Sequence, residues 1–148
     1  MIKKEEIKIG DLVRVVKDDY LITKGTICKV IGVNAIDFSE FGGHKPVVSL
    51  STVNKEKDIR SMSYENIEGI PLTKDILLKN GWEIVSCRVG SEEIYTRGGT
   101  CRFTRLININ SFYLDGARYN TTGQWLIRYV HELQHHLWAL GINDNMEV

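Results

Sequence analysis

Lys8-Ile9-Gly10-Asp11-Leu12-Val13-Arg14-Val15-Val16 joins a Gly-Asp turn signal to a β-branched run, and it predicts a turn that leads into a β-strand. The stretch Gly25-Thr26-Ile27-Cys28-Lys29-Val30-Ile31-Gly32-Val33 repeats the pattern, with odd-numbered and even-numbered residues alternating between two faces. Residues 46–53 predict a third strand, and residues 61–67 can supply a short fourth one. The first part of the chain is therefore expected to be β-rich.

Short strands at this spacing, separated by turns, favour a small antiparallel barrel, because closing a sheet removes its exposed edges. The succession G-D-L-V-R-V and K-G-T-I-C-K-V-I-G-V is typical of the opening of SH3-like barrels. We therefore expect residues 1–70 to form a closed or nearly closed SH3-like β-barrel. The residues expected to point inward are Val13, Val15, Ile27, Ile31 and Val48.

Residues 71–148 predict a second unit that combines helices and strands. Thr73 is a good N-cap for a short helix over residues 74–81, in which Asp75 and Lys79 complement the helix dipole and Gly81 ends the helix. Four strands follow as an antiparallel meander, over residues 82–89, 92–96, 100–109 and 111–115, with turns at residues 89–91 and 98–99.

A C-terminal amphipathic helix is predicted over residues 122–140, with Thr121 or Thr122 as N-cap and Gly141 as terminator. On a helical wheel an apolar stripe lies within about 60° of Leu126. The stripe is expected to pack on the sheet, and its other members are Tyr129, Val130, Leu133, Leu137 and Leu140. The fold class is α+β: an SH3-like barrel, a helix, a β meander and a C-terminal helix.

The charge composition gives no reason to expect a polyanionic partner. The 148 residues carry 19 basic and 19 acidic side chains, so no net charge attracts nucleic acid or an anionic membrane. No run of about 18 apolar residues is present, and the start MIKKEEIKIGD lacks the apolar region of a signal peptide. We expect a cytoplasmic protein with no membrane partner and no cofactor, and homo-oligomerisation is left open. Cys28, Cys87 and Cys101 are expected to be reduced thiols.

Three segments together support a family resemblance: Ile70-Pro71-Leu72-Thr73, then Ile76-Leu77-Leu78-Lys79-Asn80-Gly81-Trp82, then Tyr129-Val130-His131-Glu132-Leu133-Gln134-His135. The chain resembles a family of small uncharacterised proteins encoded by anaerobic gut bacteria, their phages and their mobile elements. Those proteins open with a "GD-V" segment, continue through "IPLTxxILxKNGF" and finish with a "YVHxLQ" helix. The resemblance implies a phage or mobile-element context and a shared fold. It supplies no catalytic residue.

His131-Glu132-Leu133-Gln134-His135 matches the H-E-x-x-H motif, in which two histidines one helical turn apart hold zinc and the glutamate acts as general base. The motif raises the alternative of a zinc-dependent hydrolase, with His131 and His135 as metal ligands and Glu132 as the catalytic residue. Against it, the helical wheel turns both histidines away from the core, and Arg128 lies beside them.

The extended form of the motif also fails. Trp138 occupies the position where the longer H-E-x-x-H-x-x-G-x-x-H pattern has glycine, and Gly141 occupies that of the third histidine. Catalytic zinc needs three protein ligands, and the sequence nominates no third one. We therefore assign neither a catalytic residue nor a metal ligand, and the histidines are interpreted as part of a polar helix face.

Arginine and aromatic residues alternate in the predicted meander, and they could make a binding surface for a nucleic acid or a nucleotide. The candidate ligand-binding residues are Tyr95, Arg97, Arg102 and Arg105. Arg102 is expected on the opposite strand face from Arg105, so that at most a subset can converge. The alternative is that the arginines pair with Glu92, Glu93 and Asp115 on solvated strand faces.

Three functional hypotheses follow. The first is a non-enzymatic accessory protein of a phage or mobile element that acts by binding a protein or a nucleic acid. The second is the zinc-dependent hydrolase. The third is a nucleotide-sequestering protein that counters host defence through its arginine-rich meander.

Overall fold

The structure is a computed structural model, and it describes residues 6–37, 45–53, 55–88, 92–97, 101–106, 111–115 and 124–148. The chain divides into two compact units, an N-terminal unit Met1–Ile70 and a C-terminal unit Pro71–Val148. Among the described residues, each unit has one five-stranded antiparallel sheet. The two α-helices in this part of the chain, α1 Lys74–Lys79 and α2 Val130–Ala139, belong to the C-terminal unit, so the α+β class is confirmed.

The strands of the N-terminal unit are β1 Leu12–Val15, β2 Ile27–Asp37, β3 Lys45–Thr52, β4 Lys55–Ser63 and β5 Ile67–Gly69. Their order in the sheet is β4-β3-β2-β1-β5. A one-turn 3-10 helix, Tyr64–Asn66, joins β4 to β5. The segment 61–67, predicted as a short fourth strand, therefore contains the end of β4, this turn and the start of β5.

Closure of this sheet was predicted, and the described residues do not show it. Their pairings leave β4 and β5 as the two edges of the sheet. The eleven-residue β2 has two irregularities in its pairing with β3, between Val30 and Gly32 and between Gly32 and Ala35. Gly32 lies where a Cβ atom would come within 3.2 Å of the Ser49 Cβ, so the backbones approach closely at this irregularity.

The inward face of β2 is the opposite of the one predicted. Cys28 and Val30 are fully buried, whereas Ile31 is 36% exposed and Ile27 is only partly buried. The register explains the choice, because β1 pairs Cys28 directly with the buried Val13. Both faces of β2 are apolar in sequence, so alternation alone could not select the inner one. The prediction was correct for the three other inward positions, including Val15 and Val48.

The strands of the C-terminal unit are β6 Glu83–Arg88, β7 Glu92–Arg97, β8 Cys101–Leu106, β9 Ser111–Asp115 and β10 Gln124–Ile127. Their order in the sheet is β10-β9-β8-β7-β6, so the predicted meander is confirmed. Helix α1 begins after Thr73, whose Oγ1 accepts a hydrogen bond from the Ile76 amide at 3.3 Å, and Gly81 follows the helix with φ +77°. Both cap residues were predicted correctly because their signals are local.

The long C-terminal helix was wrong in its first half. Strand β10 occupies residues 124–127 and pairs antiparallel with β9, and α2 begins only at Val130. Leu126 is therefore a strand residue, 37% exposed, and not the centre of a helical stripe. Pairing with β9 satisfies the backbone of a segment whose sequence also fits a helix. The predicted N-cap residues Thr121 and Thr122 lie outside the described residues.

Helix α2 packs through a buried face that differs from the predicted stripe. Val130, Leu133 and Leu137 are fully buried as expected, whereas Leu140 is 39% exposed. Two polar residues, His131 and Gln134, are buried with them at 1% and 5% exposure. Within the part of the chain that the structure describes, no helix is long and apolar enough to cross a membrane.

Candidate functional site

The loop between β1 and β2 presents two large apolar side chains to solvent. Tyr20 is fully exposed, and Leu21 is 64% exposed. The next residue, Ile22, is only 2% exposed and belongs to the core of the N-terminal unit. Ile22 therefore anchors the loop in the core, next to the exposed Tyr20 and Leu21 at its tip. We call residues 17–24 the Tyr20 loop.

Hydrogen bonds within the loop hold this tip in place. The Lys24 amide donates to the Asp18 carboxylate at 2.6 Å, and the Asp19 amide donates to the Ile22 carbonyl at 2.9 Å. At the base, the Gly25 amide donates to the Val15 carbonyl at 2.8 Å, which continues the pairing of the two strands. An exposed apolar pair on a loop with a fixed base has the form of a binding loop.

A second candidate is a buried carboxylate in the C-terminal unit. Glu93, on β7, is 9% exposed and receives three hydrogen bonds. Lys74 Nζ donates to Oε1 at 2.9 Å, whereas Tyr95 OH and Arg105 Nη1 donate to Oε2 at 2.6 and 2.9 Å. The Arg105 guanidinium lies 5.6 Å from the centre of the Phe112 ring. We call Lys74, Glu93, Tyr95 and Arg105 the Glu93 cluster.

The charges of the cluster stabilise one protonation state. The hydrogen bonds from Lys74 and Tyr95 outweigh the cost of burial and, with that from Arg105, lower the pKa of Glu93 to about 2. Burial, together with the hydrogen bond to Glu93, raises the pKa of Tyr95 above its usual value. Glu93 is thus ionised, and Tyr95 neutral, throughout the physiological range. Neither Glu93 nor Tyr95 therefore gains or loses a proton near neutral pH, as a general acid or base would. The cluster is typical of an ion network that stabilises the fold.

The candidate ligand-binding residues make different contacts. Tyr95 and Arg105 both donate to Glu93, which was proposed as an arginine partner on a solvated strand face but is 9% exposed. Arg97 donates instead to the Asn143 carbonyl at 3.2 Å. Arg102 pairs in register with Thr96 on β7.

The first histidine of the H-E-x-x-H motif was expected to face water, and this was wrong. His131 is 1% exposed, and its ring stacks on the Tyr129 ring with centroids 5.6 Å apart. The His135 ring meets it edge-on at 5.9 Å. The helical wheel assumed that only the apolar stripe is buried, whereas the polar residues His131 and Gln134, at the side of that stripe, are buried too. The two histidines are neighbours, and His131 lies on the buried side.

The Glu132 side chain accepts hydrogen bonds from the backbone at the N-terminus of α2, which is a capping role and not that of a general base. Its Oε2 accepts hydrogen bonds from the Arg128 and Tyr129 amides at 2.6 and 3.1 Å. These amides lie at the start of α2, where backbone donors lack helical partners and a negative charge is favourable. The Glu132 carboxylate therefore caps the N-terminus of its own helix, α2. No group of three or more potential metal ligands occurs among the residues that the structure describes.

Sequence reasoning missed Tyr20 and Leu21. A signal was present, because Asp18 and Asp19 are turn-forming residues, and two large apolar residues follow them between predicted strands. Glu93 was named only as a partner for arginine, and Lys74 was not connected with it, since 19 residues separate the two. Contacts over such a distance leave no periodic pattern in a sequence.

Comparisons with protein-family models, with curated proteins and with solved structures find no match for this chain.

Proposed function

We propose that the protein is a non-enzymatic binding protein, an accessory protein of a phage or mobile element, and that the Tyr20 loop contacts a partner protein. The observation that carries this proposal is the full exposure of Tyr20 and the 64% exposure of Leu21 on a hydrogen-bonded loop. A tyrosine offers a large contact area and little side-chain entropy to lose, which is why tyrosines are frequent at the centres of protein interfaces.

Charge favours a protein over a nucleic acid as the partner. The Tyr20 loop contains two lysines, Lys17 and Lys24, and two aspartates, Asp18 and Asp19, so the tip has no net positive charge. Nucleic-acid affinity comes largely from basic groups that neutralise phosphates. The whole chain is balanced in the same way, with 19 residues of each sign.

The strand arrangement supports the finer proposal that the N-terminal unit is SH3-like. Its first strand pairs with both the second and the fifth, and a one-turn 3-10 helix precedes the fifth. The long, irregular β2 has the form of a strand that bends between two parts of a small barrel. In this topology the Tyr20 loop is the connection between the first two strands. Fold alone does not identify the partner.

The two alternatives have weaker support. Zinc-dependent hydrolysis would use Glu132 as the base, but its carboxylate is engaged by two backbone amides. Nucleotide sequestration would use Arg105 and Arg97, which already donate to Glu93 and to the Asn143 carbonyl. Each alternative would first have to break these contacts.

The test is to compare partner recovery with loop and control variants. Tyr20→Ala combined with Leu21→Ser should leave stability within about 0.5 kcal/mol of the parent, because both residues are exposed. Ile9→Ser is the matched control, since Ile9 is 66% exposed in the same unit and lies outside the loop. Proteins recovered from the producing cells are quantified by mass spectrometry, and the candidate is then purified for titration.

We expect the loop variant to weaken binding of the purified partner at least about tenfold, and the control to bind as the parent does. Equal affinity for both variants would contradict the assignment of the loop. Fluorescent single-stranded DNA and RNA are titrated in parallel. Binding to these that is lost with the Tyr20 loop would replace the protein partner by a nucleic acid.

A further inference from the structure

Residues 143–148 are held against the C-terminal unit by side chains that contact their main chain. The Asn80 side-chain amide donates to the Glu147 carbonyl at 2.7 Å, and its oxygen accepts from the Glu147 amide at 2.8 Å. Lys79, Gln134 and Arg97 donate to the carbonyls of Val148, Asp144 and Asn143 at 3.2, 3.3 and 3.2 Å. We call Lys79, Asn80, Arg97 and Gln134 the tail-binding surface.

Asn80 is fixed in place for this contact. It ends α1, and its side-chain nitrogen also donates to the Ile76 carbonyl at 2.8 Å. The amide group is thereby oriented before it pairs with Glu147. One carboxamide that both donates to and accepts from a single residue reproduces the pairing of an adjacent β-strand.

Recognition of the main chain leaves most side chains of the bound segment free to vary. Two features of the segment add selectivity. Met146 is 8% exposed and is its buried apolar side chain. Glu147 Oε2 lies 3.9 Å from Lys79 Nζ, and Asp144 adds a second negative charge to the segment. The surface therefore fits an acidic peptide with one apolar side chain.

We propose that the tail-binding surface is a peptide-binding site for a partner protein, and that residues 143–148 occupy it in cis. The ligand is an acidic segment in which an apolar residue is followed by an acidic one. The cis segment competes with it at an effective concentration on the order of millimolar. Binding in trans thus requires release of residues 143–148. This site belongs to the C-terminal unit and is independent of the Tyr20 loop.

The test uses the full chain and a labelled peptide, Ile-Asn-Asp-Asn-Met-Glu-Val, which repeats residues 142–148. Glu147→Pro removes the amide that donates to Asn80 and leaves the surface itself unchanged. Fluorescence anisotropy should show that this variant binds the peptide at least about tenfold more tightly than the parent. Leu78→Ser added to Glu147→Pro is the matched control, because Leu78 is exposed on α1 and makes none of these contacts.

Asn80→Ala added to Glu147→Pro should abolish the gain. Because this variant could be damaged in its fold, the same titration is made with a peptide in which glutamate replaces methionine, and this peptide should bind at least about tenfold more weakly to Glu147→Pro. Equal binding of the parent and Glu147→Pro, or of the two peptides, would overturn the proposal. Dimers of the parent that disappear with Glu147→Pro would overturn it too, since a second copy would then be the occupant.

Discussion

Glu93→Gln tests the Glu93 cluster most directly, because it removes the charge and keeps the shape of the side chain. Lys74 and Arg105 would then lie near a neutral amide, without the carboxylate that both contact at 2.9 Å. Breaking a buried ion pair typically costs 3–5 kcal/mol. Since the Lys74 side chain is 37% exposed, water compensates part of the loss, and we expect about 2 kcal/mol at pH 7.

The same substitution should change how stability depends on pH. The pKa of Glu93 is lowered from 4.5 to about 2 in the folded state, so its contribution is complete above about pH 5 and is lost as the pH falls towards 2. At 1.36 kcal/mol per pKa unit the shift corresponds to roughly 3 kcal/mol. Screening at the partly exposed Lys74 should reduce this to about half. Glu93→Gln should lack this part of the acid sensitivity.

Urea unfolding followed by tryptophan fluorescence measures both effects selectively. The three tryptophans, Trp82, Trp125 and Trp138, all belong to the C-terminal unit, so the signal reports on the unit that contains Glu93. Glu83→Gln is the control, because Glu83 is an exposed carboxylate on the neighbouring strand β6. A Glu93→Gln variant within about 0.5 kcal/mol of the parent at pH 7, with the same loss of stability between pH 5 and 3, would refute the reasoning.

Three further outcomes are expected in the C-terminal unit. Leu133→Ala should lower its free energy of unfolding by about 2–5 kcal/mol, because Leu133 is fully buried, whereas Leu126→Ala, at a site 37% exposed, should cost less than about 1 kcal/mol in the same urea titration. Glu132→Gln should lower the free energy of unfolding by about 1 kcal/mol, because it removes the negative charge of the carboxylate that accepts hydrogen bonds from the Arg128 and Tyr129 amides. Elemental analysis after dialysis should find no stoichiometric zinc, and peptidase assays no activity that depends on Glu132; one zinc per chain, with activity lost in Glu132→Gln, would contradict the capping role.

Local signals in the sequence predicted most of the elements correctly. The cap of α1 depends on Thr73 and Gly81, which act within one turn, and the structure shows both in these roles. The strands of the meander were found because alternation and turn residues are also local. The same reasoning failed at β10, since Trp125, Leu126 and Ile127 fit either a strand or a helix and pairing with β9 selected the strand.

The candidate sites were harder to predict than the elements. The contact of Arg105 with Glu93 was among the alternatives that the sequence left open. The contact between Lys74 and Glu93 could not be predicted from the sequence, because it depends on where α1 lies against the sheet. The burial of His131 was predicted wrongly because the helical wheel treated only apolar residues as buried, whereas α2 also buries His131 and Gln134.

The sequence by itself determined the α+β class, the β-rich first part, the short capped helix and the meander, because these follow from periodicity and from residues that act on their neighbours. Only the tertiary structure decided which face of β2 is buried, where the last helix begins and which charges surround Glu93. Both faces of β2 are apolar, and the side chains at Glu93 come from three different elements. Such choices depend on the free energy of contacts between distant segments, which no local pattern records.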